Sequence, residues 1–102
     1  MVHAVYKVPK ANAGRLPEVF ADDTVSRQSI TTRDADSLGI RDNCIFVLVE
    51  GSDAGVKRAT EVFASLKVGE PANDHTSDLV RQKIKDEEDA AAGGMGMVFG
   101  DY

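Results

Sequence analysis

A chain of 102 residues with 42% hydrophobic and 28% charged residues has the size and composition of one globular domain, able to bury about two-thirds of its unfolded surface without metal or disulfide staples. A single cysteine excludes an internal disulfide, and a net charge of −5 opposes general binding to phosphate backbones. The charge is uneven: residues 1–42 carry six basic and six acidic side chains, whereas from Pro71 onward three basic residues face seven acidic ones.

Val2 to Val8 alternates as a first strand and ends at Pro9. Between Pro9 and Asp23 there is room for one crossover helix, with Leu16, Val19 and Phe20 as its apolar face. Gly14 and Pro17 predict that this helix is broken and restarts with Pro17 in its first turn, where a missing N–H costs little. Val25 to Arg33 is β-prone but polar, which suits an edge strand with one solvated face. Asp34 to Gly39 reads as one helical turn, capped by Asp34 and closed by a left-handed Gly39, with Leu38 and Ile40 tacking it to the core.

Asn43 to Leu66 is the clearest stretch. Cys44-Ile45-Phe46-Val47-Leu48-Val49 is an unbroken apolar run, short and β-branched, as expected of a strand buried on both faces. Gly51 suits the turn that follows and Ser52 the N-cap of a helix. Val56, Ala59, Phe63 and Leu66 then share one helical face. Val47, Phe63 and Leu66 are the expected core. Lys67 to Asn73 is a short connector, followed by a helix from about Thr76 to Ala92 capped by Asp74 or Thr76. Its apolar stripe (Leu79, Val80, Ile84, Ala91) is thin, and Asp86 to Asp89 lie at the end where the helix dipole disfavours negative charge. Such a helix needs a surface to dock on. The domain is therefore placed at residues 1–92, and 93–102 form a Gly-hinged tail with four apolar residues, Met95, Met97, Val98 and Phe99.

This order predicts an α+β two-layer sandwich on a βαββα ferredoxin-like plan, with an extra C-terminal helix and a short tail or fourth strand. Lys67–Pro71 looks too short for that strand, which leaves Met95–Phe99 to supply it or the first strand as an open edge. The plan carries no activity with it.

The chemistry-bearing residues are sparse. His3, His75 and Cys44 stand alone rather than at metal-ligand spacing, so no metal and no cofactor is expected, and Cys44 reads as a small core thiol. No GxSxG or HExxH places a base beside a nucleophile, and an enzymatic role comes third. The turn at Gly51 and Ser52 is a weak ligand-binding candidate without a phosphate-loop pattern. Arg27 and Arg33 would share a face of the second strand as a modest basic stripe, but the third strand lacks the glycine–aromatic pattern of RRM domains, which use the same plan. Specific nucleic acid is not expected.

No apolar run spans a bilayer, and Met1 to Ala4 lack the look of a signal peptide, so a cytoplasmic location is expected. Two readings remain. One is a non-enzymatic binding or assembly module using a sheet edge and the tail residues Met95, Met97, Val98 and Phe99, with another protein or a second copy as partner. The alternative is a small-ligand sensor of the ACT-like kind. A sensor should carry an enclosed pocket beside Gly14, Gly39 or Gly51, and an assembly module an open apolar groove.

Overall fold

The structure, a computed structural model, describes the backbone of residues 2–100 and the side chains of residues 2–89. Four strands, β1 (Val2–Pro9), β2 (Ser29–Asp34), β3 (Cys44–Gly51) and β4 (Glu70–Pro71), form one sheet in the order β2-β3-β1-β4. Every neighbouring pair is antiparallel. The first crossover is indeed broken: a 3-10 segment (Lys10–Arg15), then α1 (Leu16–Phe20) with Pro17 in its first turn, then α2 (Asp23–Ser26) capped by Asp22. The long helices are α3 (Asp53–Leu66) and α4 (Asp74–Gly100).

β3 is buried along most of its length, as its composition predicts, and alternation divides its side chains between two cores. Val47 and Val49, with Tyr6 and Val8 of β1, pack against Leu16, Val19, Val25, Ala59, Val62 and Phe63 from α1, α2 and α3. Cys44, Phe46 and Leu48, with Val5, pack against Ala35, Leu38, Val80 and Ile84. The expected two layers are therefore three, because α4 covers the face that α1–α3 leave open. Two large side chains, Val80 and Ile84, suffice where the sequence showed only a thin stripe. Leu79 is 37% exposed, and Ala91 lies outside the residues whose side chains are described.

Several boundaries differ from expectation for local reasons. Val25 belongs to α2, not β2, and is fully buried from there. Ala35 rather than Asp34 precedes the 3-10 turn Asp36–Leu38, with no side-chain cap; Gly39 closes it in the left-handed region at φ 72°. Asn73 caps α4, its Oδ1 accepting from the Thr76 N–H at 2.8 Å. Leu66 is half-buried against the first core rather than inside it.

The connector holds the fourth strand after all. Ala72 N–H donates to Val5 O at 2.9 Å, so with Lys7 opposite Glu70 and Tyr6 opposite Pro71 the ring nitrogen of Pro71 faces away from β1 and no ladder bond is lost. Gly69 lets the chain close in, since a Cβ there would stand 2.8 Å from both Lys7 O and Val8 Cγ2. That edge being taken by Glu70–Pro71, Met95–Phe99 is not required as a strand. The backbone there continues α4, and the side chains of Met95, Met97, Val98 and Phe99 lie outside the described residues.

Tyr6 anchors β1 to α3. Its ring stacks on Phe63 with centroids 4.3 Å apart, and its hydroxyl meets Thr60 Oγ1 at 2.6 Å and donates to Val56 O at 3.2 Å. Removing the fully buried Phe63 ring (Phe63→Ala) should cost about 3–5 kcal/mol in denaturant melts; a loss below about 1 kcal/mol would contradict its place in this core.

Candidate functional site

The Gly51–Ser52 turn is shaped for a side chain of this protein. Ser52 caps α3, its Oγ accepting from Gly55 N–H at 3.0 Å. Gln28, just beyond α2, lays its carboxamide over the turn: Oε1 accepts from Ser52 N–H at 3.2 Å and Nε2 donates to Thr24 O at 2.9 Å. A Cβ on either Gly51 or Gly55 would collide with that carboxamide. The two glycines thus make room for Gln28, which fills the space an anion would need at the start of α3. The sequence pattern singled out the glycines and the cap but gave no sign of Gln28, which lies 24 residues away.

The expected basic stripe does not form. Arg27 ends α2 rather than lying in β2, and pairs with Asp23 at 2.9 Å. Arg33 is on β2 but pairs with Glu87 of α4 at 3.0 Å, and its Nη1 donates to Thr32 O at 2.8 Å. Through this pair Glu87 ties α4 to the sheet.

The cysteine is inert by environment. Cys44 is buried, and desolvation pushes its thiol up, with Asp42 adding in the same direction. The ammonium groups of Lys7 and Lys10 favour the thiolate but are outweighed, so the thiol stays protonated and unreactive. His3 is half-buried on β1 and His75 exposed on α4. Among the described residues no group of three or more His, Cys, Asp or Glu is placed to hold a metal. No helix described is long and apolar enough to cross a membrane.

What the structure adds is a groove beside β4, of about 480 Å³. Pro9 and Asn12 form one wall, Ala64 and Lys67 at the end of α3 another, and Val68 to Pro71 with Lys7 the rest. It is open to solvent and mainly apolar. Asn12 braces it by donating from Nδ2 to Val68 O at 3.1 Å, and Lys67 holds the left-handed position at the end of α3, φ 54°. Lys7 is half-buried and bonded to Asp42 at 2.7 Å, which holds the Asp42 carboxyl low and raises the ammonium. Sequence reading missed this surface because its residues come from two stretches far apart in the chain, 7–12 and 64–71, and share no periodicity. Comparison with known proteins finds no matching family model, no matching curated relative and no matching solved structure.

Two measurements test these assignments. Gly55→Ala should gain up to about 1 kcal/mol from helix propensity when Gln28 is also replaced by alanine, and less in its presence, because the amide must then leave Ser52 and Thr24. A double-mutant cycle with no coupling between the two positions would contradict the clasp.

Acid stability offers the second. Arg58 holds the Asp22 carboxyl low by hydrogen bonds of 2.9 and 2.7 Å, helped by the Val25 N–H. A carboxyl depressed in the folded state contributes its full stability above its unfolded pKa, about 3.9, and loses it as pH falls through the folded value. Asp22→Asn should therefore flatten the fall in stability below about pH 4, read by melts between pH 2 and 6. An unchanged slope would mean that the Asp22–Arg58 pair adds nothing.

Proposed function

We propose that this chain is a non-enzymatic binding and assembly module whose contact surfaces are the groove beside β4 and the apolar C-terminal segment Met95–Phe99. The groove carries this reading: it is open and mainly apolar, and lies beside Gly69 rather than Gly14, Gly39 or Gly51. A sensor of the ACT-like kind would use the strand–helix turns, and here the Gly51 turn is occupied by Gln28. The strand order supports a ferredoxin-like plan for β1–β4, with α4 added across the open face. A cytoplasmic location belongs to the same reading, supported by one unpaired, buried cysteine.

The sheet edges contribute less than the sequence led one to expect. Ala35 N–H donates to Cys44 O, and the β2–β3 register then turns odd-numbered residues of β2 toward β3 and Ile30, Thr32 and Asp34 outward. Of these outward carbonyls, Thr32 O is taken by Arg33 and Asp34 O by the Ser37 hydroxyl at 2.7 Å. On the other edge β4 is two residues long and contains Pro71. Edges blunted in this way resist strand addition, so the association proposed is one of side chains in a groove.

Thermal-shift screening against metabolites, nucleotides and metal ions should leave the melting temperature unchanged. A ligand that raises it and loses its effect in Gln28→Ala or Ser52→Ala would favour the sensor instead. Fluorescence anisotropy with single-stranded RNA should show non-specific, salt-sensitive binding at most, unaltered by Arg27→Gln with Arg33→Gln; tight binding lost in that variant would overturn the reading.

A further inference from the structure

We propose that α4 is a hinged cover: it lifts from the sheet as a unit while β1–β4 and α1–α3 stay folded, baring a second apolar surface separate from the groove.

Unequal attachment is the first reason. The first core takes Leu16, Val19, Val25, Ala59, Val62 and Phe63 from α1–α3. Tyr6, Gln28 and Arg58 then tie those helices to the sheet and to one another. From the described side chains of α4 the second core takes only Val80 and Ile84. Among the described residues the polar tie from α4 to the rest of the chain is the Arg33–Glu87 pair, whose side chains are 36% and 42% exposed. An ion pair so open to solvent is screened and adds little.

The seam is the second. Val80, Ile84 and Glu87 mark the face of α4 turned to the sheet; Arg81, Lys85 and Glu88 lie on one flank of it, Lys83 and Asp86 on the other. A cleft of about 260 Å³ runs between the first flank and Leu48 and Glu50 of β3. On the second flank a cleft of about 330 Å³ lies between Lys83 and Asp86 and the Ser37–Leu38 turn. Both are open and bordered by charged side chains, so α4 meets the sheet along a narrow line with solvent on either side.

The hinge is the third. Ala72 N–H is bonded to Val5 O of β1, whereas Asn73 accepts from the N–H groups of Thr76 and Ser77 and so belongs to the helix. The cap moves with α4, and rotation at the Ala72–Asn73 junction breaks no backbone hydrogen bond found among the described residues. Val5, Phe46 and Leu48 then lose their cover, but their strands remain paired in the sheet. Baring them costs free energy, which keeps the open form a minor one.

Buried cysteines report which core opens. Val80 and Ala59 are both fully buried, so Val80→Cys and Ala59→Cys, each combined with Cys44→Ala, react with iodoacetamide only when their own core opens. Below the unfolding transition Val80→Cys should be alkylated at least about tenfold faster than Ala59→Cys. Adding Val19→Ala, which weakens the first core alone, should speed Ala59→Cys at least about tenfold and leave Val80→Cys unchanged. Hydrogen exchange of the unsubstituted chain needs no core variant: amides of residues 78–89 should exchange ahead of those in β3 and α3.

Equal alkylation rates that rise together with Val19→Ala, or exchange of 78–89 in step with β3, would mean that α4 leaves only when the whole domain unfolds, and would overturn the proposal. Early exchange of 78–89 without faster alkylation of Val80→Cys would mean a helix that frays in place, and overturns it too.

Discussion

β3 has to be covered on both sides. From Cys44 to Val49 successive side chains enter opposite cores, so no single layer of helices can satisfy the strand. Leaving either face wet would expose a Phe or several Val and Leu side chains, each worth about 1.5–3 kcal/mol when buried. The crossover and α3 solve one face by local means, since both adjoin the strands they cover in sequence. The other face has Ala35 and Leu38, with Ile40 and Ala72 partly buried against them, and is completed by α4. That requirement accounts for a helix whose composition would not make it stable in isolation: it is held by two fully packed residues, Val80 and Ile84, and by the Arg33–Glu87 pair at its far side.

The same constraint explains why polar contacts gather at the joints between elements. Tyr6 lies in the first core, yet its hydroxyl reaches Thr60 and the Val56 carbonyl, so the buried oxygen is satisfied where β1 crosses α3. Burial raises the phenol while the Thr60 bond opposes it, which keeps the group neutral and bonded through the physiological range. Arg58 joins α3 to the Asp22 cap of α2, and Gln28 joins α2 to the β3–α3 turn. These are long-range ties between short elements. The broken crossover needs them because α1 and α2, at five and four residues, are too short to hold together by their own hydrogen bonds.

Legibility in the sequence followed periodicity. β3 and α3 were plain because a six-residue apolar run and a 3–4 spacing from Val56 to Phe63 each have one reading. Pro17 and Gly39 were plain because their backbone preferences are strong. What failed was what depends on partners distant in sequence. Val25 looks like a strand residue until Asp22 is seen to cap a helix under it. Pro71 looks like a strand breaker until the register turns its nitrogen outward, and α4 looks unsupported until the second face of the sheet is known to be bare. Gly51 was read as a turn residue, whereas the close approach of Gln28 to both Gly51 and Gly55 is a tertiary fact that no local pattern encodes. The groove beside β4 was illegible for the same reason.

Blunted edges and an open groove impose different kinds of association. Strand addition gains its strength from backbone hydrogen bonds and tolerates many sequences; it is also the route to uncontrolled aggregation. On β2 the outward carbonyls of Thr32 and Asp34 are already bonded, and on β4 a proline occupies the outer position, so an incoming strand would find few partners. A groove walled by Pro9, Ala64 and Pro71 selects instead by shape and apolar area. Contact there must offset about 1–2 kcal/mol for each backbone residue it orders, against a return of ~25 cal/mol for each Å² of apolar surface buried. Sums so nearly balanced make binding depend on what has been ordered beforehand.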